Sequence, residues 1–173
     1  MILLVVVEGL SDKCFFEYVF EHVLCETLET LRQREPKVEV KVREAQGIDE
    51  MLKRTLPDVC KVQDLYFKVI AIVDSDEMHK PFGKGTRISR LQELLKSYKH
   101  LRAFPVRDNL EDLIQNCLPS QKRREFNDRI HNRSKLEAAK WAIRKEQGLN
   151  VDTLKNKLAD LEGYLRCQQQ KEI

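Results

Sequence analysis

Two acidic clusters stand directly after the most apolar stretches of this 173-residue chain. Glu8 follows the run Ile2 to Val7, with Asp12 one helical turn further on, and Asp74 and Asp76 follow the run Tyr66 to Val73. A lone Asp-x-Asp pair is common where an aspartate caps a helix, so the inference rests on finding acids after both runs. Alternate positions of an extended segment face the same side, which lets Asp74 and Asp76 share one divalent cation. Carboxylates gathered at one edge repel each other unless a cation or a proton compensates them, and an all-oxygen set favours Mg²⁺ or Mn²⁺. A centre of that kind acting on a phosphodiester also needs positive groups to stabilise charge developing on phosphorus. Lys84 and Arg87 lie in the segment after Asp76, and Lys135 opens a late helix. Lys122, Arg123 and Arg124, with Arg129 and Arg133, form a basic stretch suited to phosphate contacts. Other candidates are weaker. His22 and His79 have no partners at ligand spacing, although His79 is close enough to the Asp-x-Asp segment to touch substrate. Gly83-Lys84-Gly85-Thr86 lacks the full phosphate-loop spacing, and no strand leads into it. Trp141 and Tyr164 read as helix-packing residues and not as base-stacking platforms.

Positioning the acids together requires a sheet whose carboxyl edge collects the strand ends. Ile2 to Val7 is aliphatic without alternation, as in a strand buried on both faces. Ser11 is a natural N-cap, and Phe15, Phe16, Val19, Phe20, Val23 and Leu24 recur at helical spacing. One long helix is therefore predicted as far as Leu31 or Arg34, stopped by Pro36. Lys37 to Arg43 alternates charge with valine, the pattern of a strand with one solvated face near a sheet edge. Gly47 allows a tight turn before a short helix from Ile48 to Leu56. Tyr66 to Val73 should be the central strand, followed by a loop from His79 to Thr86 and a helix to about Tyr98. Leu101 to Val106 is the fourth strand, with Pro105 at its end or on an edge. Beyond it the β signal fades. Asp108 or Asn109 caps one helix, and Pro119 or Ser120 starts another that ends near Arg129. Ser134 to Gln147 and Val151 to Cys167 complete the set, broken at Gly148 and Asn150. Helical crossovers between strands predict an α/β fold with a mostly parallel four-stranded sheet flanked by helices.

Val6-Val7-Glu8-Gly9-Leu10-Ser11-Asp12 resembles the first motif of the TOPRIM domain, and Ile70-Ala71-Ile72-Val73-Asp74-Ser75-Asp76 resembles its second. That domain is the catalytic module of type IA and type II topoisomerases, DnaG-type primases, OLD-family nucleases and small stand-alone nucleases. The resemblance spans roughly residues 1–115. It implies a Rossmann-like TOPRIM domain over 1–117, with residues 118–173 as a helical extension packed on it. It further implies that Glu8 is a general acid/base and that Asp74 and Asp76 bind metal. The OLD-like and stand-alone proteins look nearest, because Asp12 sits where those often place a further acid. Asn109-Leu110-Glu111-Asp112-Leu113 resembles their late acidic motif, which makes Glu111 an additional ligand, and Lys135 is similar to a late lysine that some OLD-like proteins use at the site. The chain departs from many TOPRIM proteins in following Asp76 with Glu77 and no third aspartate two positions on. A second metal would therefore need Asp12 or Glu111.

With 42% hydrophobic and 34% charged residues, the chain has too much apolar material for disorder and more charge than an average domain. Its longest apolar run is far short of the ~20 residues that cross a bilayer, and no basic segment precedes it. Five cysteines without a Cys-x-x-Cys pair suggest reduced thiols, no structural zinc and a cytoplasmic setting. The net charge of +3 is uneven, slightly acidic through residue 118 and basic beyond, which suits a polyanionic partner. The expected function is a Mg²⁺- or Mn²⁺-dependent nuclease that cleaves or nicks phosphodiester bonds in DNA or RNA. Topoisomerases and primases need further domains that a chain of this size does not hold, and the ATPase of OLD nucleases would have to come from a separate partner chain. Two competing expectations are a non-catalytic TOPRIM module that binds nucleic acid or protein, for which Glu8 is not needed, and phosphoryl transfer on nucleotides.

Overall fold

The apolar runs become strands and the amphipathic stretches become helices, with informative departures. The computed structural model describes residues 2–35, 37–62, 65–107 and 109–167. β1 (Ile2–Val7) is buried from Leu3 onward. The helical segment after it starts at Leu10, so Ser11 lies inside the first turn and does not cap it. It is two helices, not one: α1 (Leu10–Tyr18) and α2 (Cys25–Arg34), joined through a wide π turn over Val19–Val23. A four-residue apolar repeat drifts by about 40° per repeat around an ideal α-helix, because 3.6 residues complete a turn. The wider turn resets that drift, and Val19, Phe20, Val23, Leu24, Thr27, Leu28 and Leu31 all stay buried. Pro36, the predicted stop, lies outside the described residues. β2 (Glu39–Glu44) follows. After Gly47, α3 (Ile48–Glu50) runs through a second π turn, Met51–Thr55, into α4 (Leu56–Lys61), a longer helical path than predicted. β3 (Tyr66–Asp74) ends in a 3₁₀ turn, Ser75–Glu77. The expected loop contains a small hairpin, β4 (Pro81–Phe82) and β5 (Gly85–Thr86), with Lys84 at its tip. Gly83 makes the hairpin turn possible, since its φ of 59° is a conformation that other residues adopt at a cost. The Thr86 hydroxyl accepts from the Ser89 N–H to cap α5 (Arg87–Ser97), and β6 (Leu101–Val106) completes the β series.

Contacts divide the chain into two compact units, Met1–Gly9 with Lys37–Asp108, and Leu10–Pro36 with Asn109–Ile173. The first holds a four-stranded, wholly parallel sheet in the order β2-β1-β3-β6. β2 is an edge strand, which explains its alternation: Glu39, Lys41 and Arg43 are exposed while Val40 and Val42 are partly covered. β3 is internal, and Val69 to Val73 are all buried. On one sheet face Leu4, Val6, Val69, Ala71 and Val73 share a core with Met51, Leu52, Leu56, Leu91 and Leu94 from the helical segments.

The second unit is helical: α1 and α2 with α6 (Leu110–Cys117), α7 (Ser120–Asn132), α8 (Lys135–Ala142), α9 (Val151–Lys157) and α10 (Ala159–Cys167). Asn109, Ser134 and Asn150 each cap a helix by accepting from the N–H three residues on, at 2.9, 3.1 and 2.8 Å. Asp108, the alternative cap for α6, lies outside the described residues. The predicted helix Ser134 to Gln147 stops at Ala142 and gives way to a 3₁₀ turn, Lys145–Gln147. The predicted helix Val151 to Cys167 breaks at Leu158, whose backbone leaves the helical region. Inside this unit α1 packs on α8, and α2 on α10, where the Thr27 hydroxyl donates to Glu162 at 3.0 Å. Among the described residues no helix is long and apolar enough to cross a membrane, and the five cysteines are free thiols.

Candidate active site

The sheet order reverses between β1 and β3, since β2 lies beyond one and β6 beyond the other. Crevices at such a switch point, outside the carboxyl ends of the strands, are where open parallel sheets bind ligands. Glu8 and Asp74 occupy those two ends. The Asp74 backbone N–H donates to Glu8 Oε1 at 3.0 Å, so one oxygen of the glutamate is anchored to the next strand. The Glu8 carbonyl accepts from the Gly47 N–H at 2.7 Å, and the Val7 carbonyl from the Ala45 N–H at 2.9 Å. The turn after β2 is thus strapped to the end of β1. Gln46 and Gly47 both have positive φ there, 62° and 107°.

Asp74 is half-buried, and the strand stops at it. The next three residues coil into the 3₁₀ turn, so the alternation of an extended segment does not reach Asp76, which is exposed. Glu77 faces the other way in function: it pairs with Lys80 and Arg87. Arg87 Nε also donates to Asp49 at 2.8 Å, and an Arg87 guanidinium N–H to the Glu77 carbonyl at 3.3 Å. With only 13% of its side chain exposed, Arg87 braces the turn after Asp74 against α3. The hydrogen bond from Lys80, joined by that from Arg87, holds the Glu77 carboxyl below the usual range despite its partial burial. Lys84 is exposed on the hairpin, and His79 is exposed beside it.

The remaining candidates belong to the helical unit. Asp12 sits half-buried in the first turn of α1. Glu111, in the first turn of α6, meets Lys135 Nζ at 2.6 Å, so the late acid and the late lysine that the resemblance singled out form one pair. Arg123 and Arg124 are exposed on α7, and Arg123 Nε donates to the Leu118 carbonyl at 3.2 Å. Trp141 is buried against Phe126, with the Arg129 guanidinium 4.9 Å from its ring centre.

Sequence reasoning missed two features. The Asp49–Arg87–Glu77–Lys80 brace joins residues up to 38 positions apart, and no local pattern announces it. Arg107 follows β6, whose Val106 is in register with Asp74, so it is a cation at the same sheet end. The rule that selected Glu8 and Asp74, to look at whatever follows each strand, would have found it.

Glu8, Asp74 and Asp76 offer oxygen donors only. Among the described residues no group of three acidic, histidine or cysteine side chains is arranged to hold a metal. The donor set fits a hard cation of the Mg²⁺ kind, which takes one or two carboxylates and completes its shell with water and substrate oxygens.

No family model matches the chain, and no curated protein does. A solved structure, the C-terminal region of the Burkholderia pseudomallei OLD protein, matches it with probability 1.00 and a TM-score of 0.51. The two share a fold. The likeness to the OLD C-terminal region covers 94% of this chain and 97% of that one at 15% sequence identity. At that identity the comparison with OLD speaks for the α/β architecture, a parallel four-stranded sheet flanked by helices, and residue roles must be argued from the site itself.

Proposed function

We propose that this chain is a divalent-metal-dependent nuclease of the TOPRIM type, acting on phosphodiester bonds of DNA or RNA. The observation that carries the reading is the meeting of Glu8 and Asp74 at the switch point, with the Asp74 N–H on Glu8 Oε1. A carboxylate held in this way at the strand end is placed to take or give a proton at a leaving or attacking oxygen. Asp74 and Asp76 would hold Mg²⁺ or Mn²⁺, which supplies charge neutralisation at the phosphodiester. The brace through Arg87 fixes the turn that carries Asp76. Within the sheet unit Arg107 and Lys84 add cations for phosphate oxygens; Arg123 and Arg124, exposed on α7, are the helical unit's own candidates for phosphate contacts. Asp12, Glu111 and Lys135 belong to the helical unit, and the part of each in cleavage is to be tested by its own variant.

The test is cleavage of labelled single- and double-stranded DNA and structured RNA with Mg²⁺, Mn²⁺ or EDTA. Metal-dependent cleavage that falls at least about 100-fold in both Glu8→Gln and Asp74→Asn, with unchanged circular dichroism, supports the reading. A folded wild type that cuts none of these polymers with either metal overturns it in favour of a binding module.

A further inference from the structure

The helical unit contains a cavity of about 720 Å³ that shares no residue with the carboxylate cluster. Its volume is within the range of small-ligand sites, about 300–1,000 Å³. Three cations line it: Lys140, Arg144 and Lys145. Lys140 lies in the last turn of α8, Arg144 just beyond the helix end, and Lys145 opens the 3₁₀ turn that follows, so one short stretch of chain brings all three to the cavity. None of the three makes an ion pair with a described carboxylate, and no described acid lines the cavity. Glu21 touches His22 from outside the lining, at 3.8 Å. The rings of Tyr18 and His22, 5.0 Å apart at 45°, also line the cavity, with Ile143 and Leu149 adding apolar surface.

We propose that this cavity binds a nucleotide, its base against Tyr18 and His22 and its phosphates against Lys140, Arg144 and Lys145. One cavity offers two chemistries, an aromatic pair and a cluster of cations. A nucleotide has one flat, weakly polar end that stacks on aromatic faces and one multiply charged end that suits clustered cations, above all an arginine fork. An acidic peptide spreads single charges along an extended chain and has no use for the ring pair. Gly148 turns the chain at the cavity with a φ of 67°, which returns Leu149 to its wall. The proposal stands on the helical unit alone and does not need the nuclease reading. The ligand is either a free nucleotide or the phosphorylated end of a single strand, which present the same chemistry.

Isothermal titration of the full chain in EDTA tests it, with adenosine mono- and triphosphate, inorganic phosphate, a 5′-phosphorylated single-stranded oligonucleotide and polyglutamate as probes. Nucleotide or strand-end binding is expected, weakened at least about tenfold by Arg144→Gln with Lys145→Gln, both at exposed positions. Tyr18→Leu should weaken the nucleotide about tenfold and inorganic phosphate hardly at all, while Asp74→Asn should leave both unchanged. Tighter binding of the oligonucleotide than of the free nucleotide identifies a strand end, and the reverse identifies a free ligand. No nucleotide binding by the folded protein overturns the proposal, as does inorganic phosphate binding as tightly as nucleotide, polyglutamate displacing nucleotide at equal charge, or indifference to the double variant.

Discussion

Arg87 shows how far the reading of a single residue depends on partners that sequence does not reveal. By position it is a free cation after an Asp-x-Asp segment; in the fold it is shared between Asp49 and Glu77. Hydrogen bonds to charged groups contribute roughly 1.5–3 kcal/mol each when well formed, and the Asp49 end is open to solvent. Arg87→Leu is therefore expected to lower stability by about 2 kcal/mol in urea unfolding. A pH series separates the Glu77 arm. The folded carboxyl titrates below its ordinary value of 4.5, so the stability it contributes is present above 4.5 and is lost as pH falls through the lower, folded value. Below pH 4.5 the wild-type urea midpoint should drop more steeply than that of Glu77→Gln, in which Arg87 retains Asp49. Parallel acid slopes in the two proteins would show that the brace contributes nothing to folding.

At the scale of elements, strands are more legible than helices here. β1 and β3 are legible because a strand buried on both faces must be apolar without interruption, and β2 because an edge strand wets one face. That left Glu8 and Asp74 at strand ends on sequence grounds alone, and the sheet order makes those ends neighbours. The helices are less legible because a four-residue apolar repeat looks the same whether the helix runs straight or is reset by a π turn, as happens at Val19–Val23. Asp76 escaped because a 3₁₀ turn needs no sequence signal that a strand end lacks. Gly47, in contrast, was legible as a turn, and its conformation gives that turn a measurable cost. Its φ of 107° with ψ of 162° is a region that only glycine enters readily, while a Cβ added there would meet nothing within 4 Å. Gly47→Ala should thus cost about 1–3 kcal/mol of unfolding free energy through backbone strain alone. A loss under about 0.5 kcal/mol in denaturant titration would mean that the turn after β2 yields without strain.

Across the whole molecule, each unit carries one deeply buried thiol, Cys60 in the sheet unit and Cys117 in the helical one. Burial pushes both up from 9.0 to about 11. The folded state therefore favours the neutral thiol, and the stability this represents is intact below pH 9.0 and declines as pH rises towards about 11. Unfolding free energy should decline over that interval more in the wild type than in Cys60→Ala with Cys117→Ala. Thiol labelling at neutral pH gives the companion result: Cys167, which is exposed, reacts at once, and Cys60 and Cys117 react only when their own unit opens. Equal labelling rates at those two positions would mark a single cooperative opening, and unequal rates two. The chain enters the helical unit at Leu10, leaves it before Lys37 and re-enters at Asn109. During synthesis α1 and α2 thus emerge long before α8 and α10, the helices they pack on, exist. At roughly 5–20 residues per second, Phe15, Phe16 and Leu28 wait several seconds on the ribosome with their apolar side uncovered, so the nascent chain needs shelter that the finished protein does not.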